Sequence, residues 1–81
     1  MKPGDYIVIK SMKLVTRKGK RGFEEHGVEL DRGLVVGVHA CGFAGSATLY
    51  GCTLLSQDQG VTLKTWDLEW PLVAEVLHEA G

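Results

Sequence analysis

Leu34-Val35-Val36-Gly37-Val38-His39 is the stretch on which the fold turns. It is a short apolar run rich in β-branched residues, bounded by Asp31-Arg32-Gly33 before it and Gly42-Phe43-Ala44-Gly45-Ser46 after it. Valine loses side-chain freedom in a helix and packs well on a pleated surface, so the run predicts a strand. Its lack of polar alternation predicts burial on both faces. Gly37 inside it suggests a bulge or a close crossing by another strand.

Working towards the C-terminus, Thr48-Leu49-Tyr50-Gly51-Cys52-Thr53-Leu54-Leu55 reads as the next strand. Ser56-Gln57-Asp58-Gln59-Gly60 is a turn, and Val61-Thr62-Leu63-Lys64-Thr65-Trp66 then alternates, with Val61, Leu63 and Thr65 on one side and Thr62, Lys64 and Trp66 on the other. The two strands and their turn predict a hairpin. After a turn over Asp67-Leu68-Glu69-Trp70-Pro71, residues 72–80 read two ways. Pro71 could open a short C-terminal helix with Leu72, Val73, Val76 and Leu77 on one face. Ala74–Leu77 could instead be a closing strand, the reading favoured by the β propensity of the remainder.

Towards the N-terminus, Val28-Glu29-Leu30 predicts a short edge strand and Asp31-Arg32-Gly33 a turn. Phe23–Gly27 reads as loop, and Arg17-Lys18-Gly19-Lys20-Arg21-Gly22 as an exposed loop or hairpin tip. Asp5-Tyr6-Ile7-Val8-Ile9-Lys10 is the first strand, extending to about Val15. Being apolar on both sides near its start, it should be central or covered.

These elements sit in 81 residues, enough for one domain spanning 1–81. Hydrophobic residues make up 44% and charged residues 23%, which supports a core rather than disorder. Eleven glycines favour turns and short strands over long helices. No apolar run approaches the length of a membrane span, and the start lacks the apolar stretch of a signal peptide. A cytoplasmic location is the expectation, with Cys41 and Cys52 as thiols.

The formal net charge of −1 conceals an asymmetry. Residues 1–21 carry seven cations against Asp5 alone, whereas residues 22–81 carry Arg32 and Lys64 against nine acids. Lys10, Lys13, Arg17, Lys18, Lys20 and Arg21 lie within twelve residues that hold no acid, a pattern able to track phosphates. Gly19-Lys20-Arg21-Gly22 has the bare form of a backbone-clamping Gly-x-x-Gly loop, without the helices that flank one. A solvated tip with its charges facing Glu24, Glu25 or Glu29 explains the cluster equally, and the sequence pI of about 6.3 argues against a dedicated nucleic-acid binder.

His39, Cys41 and Cys52, with His26 or His78, contain zinc-ligand chemistry but lack the close Cys-x₂₋₄-Cys spacing that fixes such a site. Cys41 beside His39 or His26 contains the elements of a thiol nucleophile without a framing motif. No metal, cofactor or catalytic residue is therefore assigned, and the chain is read as a non-enzyme. The aromatics Phe43, Tyr50, Trp66 and Trp70 are the candidate partner-binding residues, since Trp66 falls on the polar side of its strand and Trp70-Pro71 sits on a turn.

The layout resembles the SH3-like barrels of small bacterial and phage proteins of unknown role. The matching residues are Gly4-Asp5-Tyr6-Ile7-Val8, Gly33-Leu34-Val35-Val36-Gly37-Val38, and Leu49-Tyr50, Gly60 and Trp66-Asp67-Leu68-Glu69. The resemblance implies a mostly β, small antiparallel barrel or roll of about five strands. It departs at Trp70-Pro71, where such barrels close. The residues themselves are read as a protein-binding accessory or adaptor module, of phage or mobile-element type, that docks on another protein or on its own copies through the Trp66/Trp70 surface and the charged first loop. Nucleic-acid binding through Lys10–Arg21 is the alternative.

Overall fold

Short strands with apolar side chains cannot satisfy their backbone groups alone and gain stability by pairing edge to edge. A computed structural model describes residues 1–57 and 60–81, apart from the side chains at 16, 17, 20, 21, 23, 24 and 26, and shows one antiparallel sheet. Its strands are β1 (Tyr6–Arg17), β2 (Lys20–Ala44), β3 (Ala47–Ser56), β4 (Thr62–Asp67) and β5 (Leu72–His78). Their order is β4-β3-β2-β1-β5, a meander whose last strand returns to lie beside the first. The ladder does not close into a ring, and β4 and β5 are its edges. The described residues contain no helix. Residues 72–78 take the strand alternative, placing Val76 opposite Ile7 and Ala74 opposite Ile9.

The core gathers on one face. Ile7 and Ile9 of β1, Val35 of β2, and Cys52 and Leu54 of β3 are each at most 1% exposed. Trp66, Leu68, Ala74 and Val76 pack against them. Val8 points to the opposite side of β1 and is buried as well, between Arg32 and Glu75 in the register. The first strand is thus central and covered on both sides.

Three expectations fail on β2. Asp31-Arg32-Gly33 is no turn, Phe23–Gly27 is no loop, and Val28–Leu30 is no short edge strand; all lie within one central strand of 25 residues. The apolar run is not buried on both faces either. Leu34, Val36 and Val38 are 38%, 46% and 39% exposed, while Val35 between them is buried. Leu34 lies on the outer face of a single sheet that has no second layer over it among the described residues, and Val38, opposite the buried Cys52, lies where the core cover thins. A straight 25-residue strand would reach roughly 80 Å, yet the molecule's longest dimension is 43 Å. Register shifts at Ile9/Lys10, Lys10/Met12, Val35/Gly37 and Ala40/Gly42 accommodate the bending.

Both long hairpins turn in two residues. Lys18 and Gly19 take φ of 52° and 76°, and Gly45 takes 63°, the positive values that such turns need. Gly37 sits at a register shift with open space where a Cβ would go, whereas the close crossing occurs at Gly33. A Cβ there would fall far inside contact distance of the Leu55 carbonyl oxygen. Gly33→Ala should therefore destabilise the chain by about 2–3 kcal/mol, roughly 8–24 °C in Tm. Gly37→Ala should leave Tm unchanged or raise it slightly. Thermal unfolding of the two variants, followed by circular dichroism, checks the contrast.

Candidate binding surface

The side chain that fixes the end of the sheet is Asp31. It lies opposite Ile9 on the inward face of β2 and is 4% exposed. Its carboxylate accepts hydrogen bonds from Ser56 Oγ at 2.6 Å, Trp66 Nε1 at 2.8 Å and the Arg32 backbone N–H at 2.8 Å. Burial alone would push this carboxyl up, but the three donors and the charge of Lys64 outweigh it and hold the group below its ordinary value. One carboxylate thereby joins β2, β3 and β4.

Trp66 is therefore placed by the core. It lies opposite Cys52, packs on the buried cluster, and gives its N–H to Asp31. The polar side of β4, with Thr62, Lys64 and Trp66, is the one turned inward, and Val61 and Leu63 look outward at 66% exposure each. The other three aromatics are on the surface. Phe43, near the β2–β3 turn, is 77% exposed, Tyr50 53% and Trp70 49%. Tyr50 lies opposite Ala40, one inward position beyond the Val38–Cys52 pair, where the core cover has run out. The segment bearing Trp70 is held from two sides: Leu68 N donates to Tyr50 O at 3.1 Å, and Met12 N to Pro71 O at 2.7 Å. The Trp70-Pro71 bond is cis.

The basic segment occupies the β1–β2 hairpin. Lys10 forms an ion pair with Glu75 on β5 at 2.6 Å. Lys13 is exposed and lies directly across from Glu25, and Lys18 is exposed at the tip. The backbone sets Arg17 opposite Lys20, while the side chains of Arg17, Lys20 and Arg21 are outside the described residues, as are those of His26 and Glu24.

His39 and the two cysteines do not converge. His39 Nε2 lies 2.9 Å from Asp67 Oδ1, its ring crossing the β3 backbone at Gly51. A Cβ on Gly51 would come within 2.5 Å of that ring, so the contact from β2 to β4 depends on glycine. Cys41 and Cys52 are free thiols. Burial pushes the Cys52 thiol up to about 11, which leaves it a thiol and a poor nucleophile at neutral pH. Among the described residues no group of three or more His, Cys, Asp or Glu is arranged to hold a metal. A shallow depression of about 310 Å³ is lined by Glu29, Leu30, Asp31, Arg32 and Gln57, but Glu29 is paired with Arg32 and Asp31 with its three donors.

The sequence reading overlooked Asp31 and Asp5. Counting back in twos from Val35 reaches Gly33 and Asp31, so an acid on the core side was readable once the turn was given up. Asp5 is 3% exposed and accepts from Lys2 N at 2.9 Å and Ala80 N at 2.8 Å. The backbone bond from Ala80, with that from Lys2, holds its carboxyl low against the opposing effect of burial.

Both carboxyls are lowered in the folded chain, so their contribution is complete above the unfolded value near pH 4 and is lost as pH falls through the folded values. Urea midpoints should be flat at neutral pH and drop below about pH 4. Asp31→Asn should lower the midpoint at pH 7 and flatten the acid limb. Trp66→Phe, which removes one donor to a buried anion, should lose about 1.5–3 kcal/mol in the same titration.

Comparison with protein-family models, with curated proteins and with solved structures finds no match to this chain, so the reading of its surface rests on the geometry alone.

Proposed function

We propose that this chain is a small, non-enzymatic protein-binding module with an SH3-like arrangement of strands, docking through an aromatic surface that includes Phe43, Tyr50 and Trp70. The observation that carries the reading is the distribution of apolar side chains. Thirteen large hydrophobic residues are exposed and seven hydrophobic residues are buried among those described. A free-standing domain of this size gains more by burying such groups, and exposed large apolar and aromatic side chains mark surfaces that another macromolecule covers. Tyrosine and tryptophan suit the task because they contribute large apolar area with little side-chain entropy to lose.

The SH3-like reading is supported by the strand order, in which β5 returns to pair with β1 beside a four-strand meander. Trp66 shapes the surface through its bond to Asp31, and the exposed rings make the contact. Adaptor or accessory roles of the kind found on phages and mobile elements fit a module without its own chemistry. A cytoplasmic setting fits its two free thiols.

Affinity purification from the native cells with the wild-type chain and with Phe43→Ala/Tyr50→Ala/Trp70→Ala tests the proposal. The expected result is a defined protein retained by the wild type and lost by the variant, with the circular dichroism spectrum unchanged. Identical proteins recovered with both would overturn it.

Nucleic-acid binding is the second reading, favoured by the exposure of Lys13 and Lys18 on a hairpin that stands off the core. The pairing of Lys10 with Glu75 and the placement of Glu25 opposite Lys13 weaken it. A gel-shift titration at low and moderate salt decides: binding that weakens steeply with salt supports the reading, and no shift at low salt ends it.

A further inference from the structure

β4 ends the sheet, paired in the ladder with β3 on one side only. Its outward side chains continue a row that runs across the whole sheet. His78, Tyr6, Leu34, Leu55 and Leu63 lie side by side in register on β5, β1, β2, β3 and β4. Tyr6 and Leu55 in this row are half-buried, whereas Leu63, at its β4 end, is 66% exposed beside an open edge.

We infer that this edge pairs with the same edge of a second copy of the chain. The two β4 strands run antiparallel about a two-fold axis that sets Leu63 of one copy opposite Leu63 of the other. The register is selected by the side chains. A two-fold centred on Lys64 would set two ammonium groups face to face, and one centred on Thr65 would set Leu63 against Asp67. Centring on Leu63 pairs leucine with leucine and Val61 with Thr65 outward, and Thr62 with Lys64 inward. Apolar and β-branched cross-strand pairs are favourable, and like charges directly opposite are not. The β5 edge is less suited, because a symmetric pairing centred on Glu75 would bring two carboxylates together, each already ion-paired with Lys10 of its own chain. The net charge of −1 leaves little long-range repulsion between copies.

The surface area is compatible with an interface: the chain exposes 5510 Å², whereas a compact monomer of 8.8 kDa exposes about 4,800 Å². This excess of roughly 700 Å² is spread over the whole surface and is of the order that one partner contributes to a standard interface. Its radius of gyration, 14.0 Å, also exceeds the value of about 12 Å for a compact chain of this length.

This inference goes beyond the docking surface proposed above and uses none of its aromatics. Sedimentation velocity of the wild-type chain should show a species of twice 8.8 kDa that dissociates on dilution. Leu63→Lys, at an exposed position, should keep the fold by circular dichroism and raise the dimer dissociation constant roughly tenfold or more. In a Cys41→Ser background, Leu63→Cys should form a disulfide between copies on mild oxidation, since Cα separations of about 4.5–5.5 Å across an antiparallel pair suit one. Thr65→Cys, which faces Val61 of the other copy, should not. A monomer at every concentration, an unchanged dissociation constant in folded Leu63→Lys, or equal cross-linking at both positions would overturn the inference. If the Phe43/Tyr50/Trp70 variant dissociates the dimer and Leu63→Lys does not, copies meet through the aromatic surface: this inference fails and the docking reading stands.

Discussion

A carboxylate removed from water must find donors or give up its charge, and the Asp31 group finds three from three different places in the chain. Ser56 brings the end of β3, Trp66 brings β4, and the Arg32 amide anchors the group to its own strand. Because β4 pairs with nothing else in the ladder except β3, the indole bond is what holds this edge strand curled over the core. The orientation of Trp66 in turn decides which side of β4 looks inward, and so places Val61 and Leu63 in solvent. The outward placement of Leu63, at the β4 end of the outer row, thus goes with a polar contact on the inner face.

Glycine has a similar controlling role where strands must come closer than side chains allow. Gly33 lets β2 approach the β3 carbonyl at Leu55, and Gly51 lets the His39 imidazole pass over β3 to reach Asp67. Both positions tie strands across a sheet whose pairing never closes. Such ties matter more in an open sheet, where two edges remain without a covalent or ladder neighbour.

Local sequence revealed much of the strand content. The pairing of β3 with β4 was legible in the alternation of both strands, the Asp58-Gln59 turn lying outside the described residues, and the first strand because it is apolar on both sides and lies between β2 and β5. What local sequence hid was continuity. Asp31-Arg32-Gly33 has the composition of a turn, yet Asp31 satisfies a buried polar need and Gly33 a close approach, so both residues serve a strand interior. The tail was ambiguous for a related reason: Leu72–His78 has apolar residues at spacings both periods accept, and only the free edge of β1 chooses between them. Of the aromatic residues, Phe43 and Trp70 lie beside turns and Tyr50 within β3, and all three side chains are exposed. Trp66 could not be assigned to core or surface until its donor found an acceptor 35 residues away.

The length of β2 has a mechanical consequence. One unbroken run of backbone forms half of the Lys18-Gly19 hairpin at one end and half of the Gly45-Ser46 hairpin at the other. The bends at its register shifts are flexural points in a single beam, with the Asp31 cluster clamping it near the middle. Deflecting one tip loads that clamp before the strain reaches the other tip. The two arms are therefore mechanically in series, with the buried carboxylate as their shared fulcrum.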